Sequence, residues 1–339
     1  MAVYVLASFL ATFALTFLFM KYAIYKGVID VPNHRSSHST PTPRGAGIAI
    51  VIVFFTLVSF LSSSLQIASI YTISLLLGAC TVAAVGFWDD HKHVPARWRF
   101  LTHFVAALIS LLIIPSLPGL PLFGEVIDLS VFGYLFYGFT LVWLLNLYNF
   151  MDGIDGIASL QAISMLLSAA FIIGDHSWSW LLILLAASVA GFLYWNWAPA
   201  KVFMGDACSG CLGFSLGLIA IITAADELIC IWSWLILYSV FVVDATITLF
   251  RRIYFGEVWY EAHCCHAYQI LARNYNSHKL VSTGVFAVNL LWLLPIAWLA
   301  DVFPEVGLIL TLIAIAPITI LCFWIGAGES EISGLAQAE

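Results

Sequence analysis

Charged residues are scarce in this sequence. Asp, Glu, Lys and Arg make up 9% of its 339 residues, whereas ordinary soluble domains contain roughly 25%. Hydrophobic residues make up 63%, and the mean hydropathy is +1.02. A soluble globular protein is therefore excluded, and recurring apolar runs of about 20 residues indicate a polytopic membrane protein. Because a backbone in lipid must satisfy its own hydrogen bonds, these long runs favour helices over an outer-membrane barrel.

Cysteine is also sparse, and its seven positions show no spacing typical of a disulfide framework. Cys208 and Cys211 could bind zinc together with His263 and His266. Cys211 lies where an apolar segment begins, however, and there we expect it to pack as a small apolar residue. The first apolar segment, 2–24, has no basic residue before it and no A-x-A cleavage site after it. We expect a retained helix rather than a signal peptide.

Eleven apolar segments follow one another along the chain, an odd number that places the two termini on opposite sides of the membrane. All 12 Lys and Arg residues fall in or beside alternate loops, and the intervening loops carry acids without Lys or Arg. Since basic loops stay in the cytoplasm, the N-terminus is expected outside and the C-terminus inside. We predict an all-α polytopic protein with 10–11 transmembrane helices, a single domain over 1–339 and a flexible tail over 326–339. The segments are 2–24, 46–65, 67–87, 100–116, 131–148, 157–173, 178–195, 210–224, 228–250, 280–300 and 305–325.

Five polar clusters lie on the predicted cytoplasmic side. In "NFMDGIDG" (149–156), Asn149, Asp152 and Asp155 are three residues apart, so a helical turn brings them roughly to one face. Hard oxygen ligands of this kind suit Mg²⁺ or Mn²⁺. Asp206 in "FMGDACSG" begins another helix, where free backbone N–H groups can receive phosphate oxygens. The pattern predicts a Mg²⁺–diphosphate site at a membrane surface. The clusters are 30–47, 86–99, 146–156, 196–210 and 261–269.

Other interpretations of single motifs stay open. Aspartates in pairs or in D-G-x-D-G turns are also common as helix caps and loops. Asp89 and Asp90 are adjacent and cannot both point one way, so we expect one to face a cavity and the other to pair with a base such as Lys92. Asp244 lies inside an apolar segment, where an acid is functional by default, but it could pair with Arg251.

The ordered clusters resemble those of the polyprenyl-phosphate N-acetylhexosamine-1-phosphate transferases, bacterial membrane enzymes that load the first sugar of surface glycans. The O-antigen-initiating branch is most similar, and phospho-N-acetylmuramoyl-pentapeptide transferase is more distant. The resemblance runs from about Asp30 to Gln269, through "PNHRSSHSTPTPRGAG", "GFWDD", "NLYNFMDGIDG", "FMGDACSG" and "HCCHAYQ". It implies a UDP-N-acetylhexosamine donor, undecaprenyl phosphate as acceptor, Mg²⁺ or else Mn²⁺ as cofactor, and an inner-membrane location. The bilayer is a further partner, a homodimer is left open, and no nucleic acid is expected.

The resemblance also implies roles for individual residues. Asn149 and Asp206 would be the metal ligands, and the ring of Phe203 would stack on the nucleotide base. The expected catalytic residues are Asp89, Asp90, Asp152, Asp155, His263 and His266. The expected substrate-binding residues are Arg35, Arg44, Asn146, Gly153, Ile154, Asn196 and Phe203.

Two positions depart from the family pattern. Relatives usually show His-Arg-x-His where this chain has "HCCH" (263–266), so one expected phosphate-binding cation is missing. Cys208 stands where relatives usually have Gly, and it would crowd a phosphate. The cations that could replace the missing one are Arg251, Arg252 and Lys201.

The expected reaction is direct displacement by the lipid phosphate, with double displacement through a covalent aspartyl intermediate as the alternative. Two other functions are an ion-coupled transporter and a catalytically inactive scaffold of a polysaccharide-assembly complex. A transporter typically has acids near the bilayer midplane and an internal repeat. Here the acids cluster at segment ends on one side, which favours the enzyme.

Overall fold

Each of the eleven predicted apolar segments coincides with helix in the computed structural model, which describes residues 1–32, 37–92, 94–257 and 263–329. Within these residues, eight helices are long and apolar enough to cross a membrane alone, and two helices bent by 70° would together make a ninth span. Two shorter apolar helices of 14 and 17 residues account for the other segments. The prediction of an all-α polytopic membrane protein is confirmed. The α-helices are α1 (Ala2–Lys26), α2 (Ile48–Leu61), α3 (Ser69–His91), α4 (Ala96–Ile113), α5 (Ser130–Met151), α6 (Ile157–Ile173), α7 (Ser177–Asn196), α8 (Asp206–Ala225), α9 (Ile231–Leu237), α10 (Ser239–Tyr254), α11 (Ala267–Asn274), α12 (His278–Val288), α13 (Leu294–Val302) and α14 (Gly307–Ile325).

A π-helix (Asn289–Leu293) joins α12 to α13, and a 3₁₀-helix (Pro304–Val306) precedes α14. Two short antiparallel strand pairs complete the described secondary structure. The first pairs β1 (Ile29–Asp30) with β2 (Thr42–Pro43), and the second pairs β3 (Leu120–Leu122) with β4 (Glu125–Ile127). Because β1 directly follows α1, the first pair holds the segment that contains Arg44 against the end of that helix.

Helix α8 occupies the centre of the bundle. Within its most apolar 18-residue stretch, 94% of the residues are buried, against 22% for α1 and 22% for α14. Its sequence "DACSGCLGFSLGLIAIITAA" is rich in small residues, which let neighbouring helices pack closely. The main neighbours of α8 are α3 and α5.

The polar clusters converge at one end of this bundle. The C-terminal end of α3 meets the start of α8, where the Asp206 amide donates to Asp90 Oδ1 at 3.1 Å. At the opposite end of the same two helices, the Tyr71 hydroxyl donates to Asp226 Oδ1 at 2.5 Å. Helix α5 runs toward the first end and stops there at Met151. We call this first end the site end.

The bent span α9–α10 breaks at Tyr238, and buried amides stabilise the break. Gln161 Nε2 donates to the carbonyl of Leu237, the last residue of α9, at 3.0 Å. Asn289 Nδ2 in turn donates to Gln161 Oε1 at 2.6 Å. The Leu237 carbonyl at the bend is therefore satisfied, as a helix break inside a membrane requires.

The beginning of the C-terminal tail is tied down. Arg251 Nη1 donates to the Ala327 carbonyl at 2.7 Å, and Arg251 also pairs with Glu329. The amide of Gly328 donates to the Cys265 carbonyl at 2.9 Å. Residues 326–329 thus contact α10 and the segment before α11, while 330–339 lie outside the described residues.

Candidate active site

A cavity of about 250 Å³ opens at the site end. Its wall combines the turn after α5, the segment before α2 and the segment before α8. The structure thus brings together side chains that are far apart in the sequence. The sequence-predicted residues that line the cavity are Arg44, Asn149, Asp152, Gly153, Ile154, Asp155, Asn196, Phe203 and Asp206.

The turn at 149–156 is held close to α11. Tyr268 donates its hydroxyl proton to the Phe150 carbonyl at 2.9 Å. A Cβ atom at Gly153 would lie 2.1 Å from that hydroxyl oxygen, so only glycine allows this approach. Gly153 therefore shapes the cavity wall through its missing side chain.

Asp152 has an unusual electrostatic environment. Burial raises the pKa of this carboxyl well above its ordinary value, and the carboxylates of Asp206, Asp155 and Asp90 raise it further. No hydrogen bond or ion pair engages the Asp152 side chain among the described residues. A half-buried carboxyl group that lies among other acids, without a partner in the described residues, is a position where a bound cation would be stabilising.

Asn149 and Asp206 both line the cavity near the start of α8. The Ser209 hydroxyl donates to Asn149 Oδ1 at 2.5 Å, which fixes the amide with its oxygen toward α8. Arg99 Nη1 lies 3.4 Å from Asp206 Oδ2 and also pairs with Asp89. Asp206 therefore shares one arginine with Asp89 while it lines the cavity.

Asp90 acts as the cap of α8. Its side chain is 1% exposed and accepts bonds from the Asp206 amide at 3.1 Å, the Ala207 amide at 3.2 Å and Arg44 Nη2 at 3.0 Å. Burial lowers the pKa of Arg44, but the carboxylates of Asp90, Asp206 and Asp30 outweigh it and raise the pKa above its ordinary value. Asp90 thus joins the Arg44 segment to the beginning of α8.

Asp89 points away from Asp90, as the adjacency of the two residues predicts. It accepts a bond from the Val94 amide at 2.7 Å and pairs with Arg99. The bases that pair with the two aspartates are thus Arg99 and Arg44, where the sequence suggested Lys92. Neither aspartate lines the cavity, so both act on it through the residues they hold.

The two candidate asparagines have different environments. Asn196 Oδ1 accepts from the Gly156 amide at 3.1 Å, and its Nδ2 donates to the Val202 carbonyl at 3.0 Å. It therefore clamps the 149–156 turn to the segment before α8. Asn146 Nδ2 donates to the Val142 carbonyl of its own helix at 2.7 Å and does not line the cavity.

Asp244 caps α11, although the sequence suggested Arg251 as its partner. Its carboxylate accepts from the amides of Ala267 at 2.9 Å and Tyr268 at 3.0 Å. It also lies 3.2 Å from the ring Nδ1 of His266. Asp244 and His266 thus set the position of α11.

His263 lies beside His266, with 4.8 Å between ring centroids. Burial lowers the pKa of His263 to about 3, assisted by His266 and Arg252, so its ring is neutral at neutral pH. Neither histidine lines the cavity. Arg35, a further candidate, lies outside the described residues.

Three basic residues were considered as substitutes for the arginine that "HCCH" (263–266) lacks, and all three have partners outside the cavity. Arg251 binds the tail, Arg252 pairs with Glu257 at 3.5 Å, and Lys201 lies over the Trp195 ring. None of the three lines the cavity.

The sequence matches the model of glycosyl transferase family 4 over residues 72–224, which include Asp89, Asp152 and Asp206. It is 29% identical over 258 residues to the probable undecaprenyl-phosphate N-acetylglucosaminyl 1-phosphate transferase of Bacillus subtilis, covering 73% of this chain and 70% of that protein. It is also 29% identical over 244 residues to phospho-N-acetylmuramoyl-pentapeptide-transferase of Streptococcus pyogenes, covering 67% of this chain and 70% of that protein. Over these regions the chain is similar to glycosyl transferase family 4.

The oxygen donors of the cavity fit a magnesium ion. Among residues 1–32, 37–92, 94–257 and 263–329, no three His, Cys, Asp or Glu side chains form a complete metal-binding group. Mg²⁺ usually binds through one or two carboxylates and completes its shell with water and substrate phosphates. Asn149 and Asp206, with Asp152 beside them, suit that mode. The thiols considered for zinc, Cys208 and Cys211, are buried within α8 at 0% and 2% exposure.

The cavity also contains residues that were not among the predicted site residues. His278 and Gln269 line it from the α11–α12 region, and His38 packs edge-on against Phe203 with 4.8 Å between ring centroids. A signal for His278 was present in the sequence. It follows Ser277, whose hydroxyl caps α12 by accepting from the Leu280 amide at 3.2 Å.

Proposed function

We propose that this protein transfers an N-acetylhexosamine-1-phosphate from a UDP-sugar to undecaprenyl phosphate and releases UMP. Similarity to the model of glycosyl transferase family 4 and to the two named relatives supports sugar-1-phosphate transfer onto a polyprenyl phosphate. The observation that carries the proposal is the cavity at one end of a membrane bundle, in which Asp152, Asp206 and Asn149 meet Arg44. A charged nucleotide and a lipid-borne acceptor can meet only at such a membrane surface. The product would be the first lipid-linked sugar of O-antigen or a related surface glycan.

In this reaction, a phosphate oxygen of the lipid forms a bond to the β-phosphorus of the donor. The bond from that phosphorus to the bridging oxygen breaks, and UMP leaves with that oxygen. The second pKa of a phosphate monoester is about 6, so the acceptor is largely ionised at neutral pH without a strong base. Asp89 and Asp90, both paired with arginines, position Asp206 and Arg44. Arg44 offers its guanidinium to a phosphate.

Asn149 and Asp206 would hold Mg²⁺, with Asp152 beside them. When bound, the ion neutralises diphosphate charge and stabilises the departing phosphate. The 149–156 turn then orients the donor through Gly153 and Ile154, and Phe203 presents its ring to the base. Asp152 is the carboxylate to test for double displacement, because its side chain has no partner among the described residues.

We place the site end in the cytoplasm and the protein in a bacterial inner membrane. The support is the distribution of Lys and Arg, which lie in or beside the loops of that end. A UDP-sugar made in the cytoplasm would then reach the cavity directly.

The test is release of UMP by the purified protein in lipid nanodiscs, supplied with Mg²⁺, undecaprenyl phosphate and a panel of UDP-N-acetylhexosamines. Asp152→Asn and Asp206→Asn should each lower the rate about 10²–10³-fold, the range observed when a charge-stabilising group is removed. Asp175→Asn, an exposed residue at the opposite end, should leave the rate unchanged. Full activity in both cavity variants would contradict the proposed site. Absence of UMP release from every donor would favour a carrier or an inactive scaffold.

A further inference from the structure

His278 connects two walls of the cavity. It is the first residue of α12, and its side chain is 19% exposed. Ring atom Nε2 lies 2.9 Å from the Ser37 carbonyl oxygen. Ring atom Nδ1 lies 3.3 Å from Asp155 Oδ1 and 3.4 Å from the Asp155 amide nitrogen. Because a carbonyl oxygen only accepts, Nε2 carries the proton of its hydrogen bond.

Asp155 has further supports that do not involve His278. Its Oδ2 accepts from the Ala200 amide at 3.0 Å, and its carbonyl accepts from the Ser282 hydroxyl at 2.8 Å. Ser282 lies one helical turn after His278, on the same face of α12. The 149–156 turn would therefore stay attached to α12 if the imidazole were removed.

The segment from Ser37 to Arg44 is held at both of its ends. At its far end, the pairing of β1 with β2 and a 2.8 Å bond from the Phe203 amide to the Pro43 carbonyl hold it. At its near end, the bond to His278 fixes the Ser37 carbonyl. This wall carries His38 and Arg44, both of which line the cavity.

We propose that His278 is a positioning residue for the nucleotide-sugar donor. It holds the Ser37–Arg44 segment at a fixed distance from the 149–156 turn. The donor can then contact both walls of the cavity without first having to order that segment. This inference rests on the proposed function. A merely structural contact at the start of α12 would instead change stability without changing donor affinity.

Two substitutions separate the two contacts. The Nε2 atom is the same number of bonds from Cβ in glutamine as in histidine. His278→Gln therefore keeps an N–H donor for the Ser37 carbonyl. Asparagine places its Nδ2 at the position of the histidine Nδ1, so His278→Asn keeps only the contact with Asp155. His176→Ala is the matched control, because His176 lies exposed at the opposite end of the bundle.

The measurement is the donor KM and kcat for UMP release in nanodiscs. His278→Ala should raise the donor KM about tenfold, the effect of losing one partly buried hydrogen bond, with kcat and acceptor KM within about threefold of the wild type. His278→Gln should return KM to within about threefold of the wild type, and His278→Asn should resemble the alanine variant. A fall in kcat at unchanged KM, recovery by asparagine but not glutamine, or an equal effect of His176→Ala would overturn the proposal.

A second readout does not need turnover. Binding of UDP raises the melting temperature of the folded protein by mass action, so titration with UDP in Mg²⁺ gives an apparent Kd for each variant. That Kd should rise about tenfold in His278→Ala and recover in His278→Gln. If the wild-type protein releases no UMP, the proposed function fails, whereas this titration still decides the role of His278. Equal UDP affinity in all variants would refute that role.

Discussion

Replacement of Gly205 by alanine should damage the site more than the size of a methyl group suggests. Gly205 directly precedes Asp206 and has φ 82° and ψ 161°, a region almost restricted to glycine. Its Cβ would lie 2.6 Å from the Cα of Gly45 and 2.8 Å from Asp90 Oδ2. Backbone strain of this kind costs about 1–3 kcal/mol, and forced overpacking costs about another 1–3 kcal/mol. The segment before α2 and the start of α8 must then separate.

We expect Gly205→Ala to lower the melting temperature and to reduce UMP release about 100-fold, because displacements near 1 Å at a reacting centre have effects of that size. Gly124→Ala is the control, since Gly124 also has positive φ, at 92°, but nothing lies within 4 Å of its Cβ position. The Gly124→Ala variant therefore measures the cost of backbone strain alone, without the steric clash that Gly205→Ala adds. Intrinsic tryptophan fluorescence during heating and the UMP assay measure the two effects. If Gly205→Ala kept more than half of the wild-type activity, the close packing of α8 against the Arg44 segment would be refuted.

Three further predictions follow from the site. Asp152 has a higher pKa in the folded protein than in the unfolded chain, so without Mg²⁺ the melting temperature should fall as the pH rises from about 4. When the melting temperature is measured in EDTA, this fall should be smaller for Asp152→Asn than for the wild type. An equal fall in both proteins would contradict Asp152 as its cause. Asn146→Ala should change UMP release less than about threefold, because Asn146 bonds only to Val142 of its own helix among the described residues; a loss of 100-fold would place it in the site. In a variant whose only cysteine is Cys264, this residue should react with a membrane-impermeant maleimide in inside-out vesicles. In a variant whose only cysteine is introduced by Gly124→Cys, that cysteine should react in intact spheroplasts. The reverse pattern would invert the proposed topology.

The apolar pattern predicted the helices well because lipid imposes one simple requirement, a run of apolar residues with internally bonded backbone. It could not predict the break at Tyr238, since no Gly or Pro interrupts the run from 228 to 250. The break depends on Gln161 and Asn289, which come from other helices. Neither residue has a distinctive sequence context.

The motifs predicted most of the cavity because acids in an apolar chain are rare enough to be noticed. The same approach missed His278, a single polar residue at the start of a short helix. It also could not assign partners. Asp89 and Asp90 form a recognisable pair, but their arginines come from positions whose proximity only the folded chain establishes.

The central position of α8 has a consequence for how the membrane can influence this protein. Bilayers of different thickness act by tilting or stretching the helices that touch lipid. Asp206 belongs to the helix that is shielded most completely, so variation in lipid composition can reach it only through the packed helices around it. Peripheral helices such as α1 and α14 would absorb most of such a mismatch, and the spacing of the acids around the start of α8 would change little.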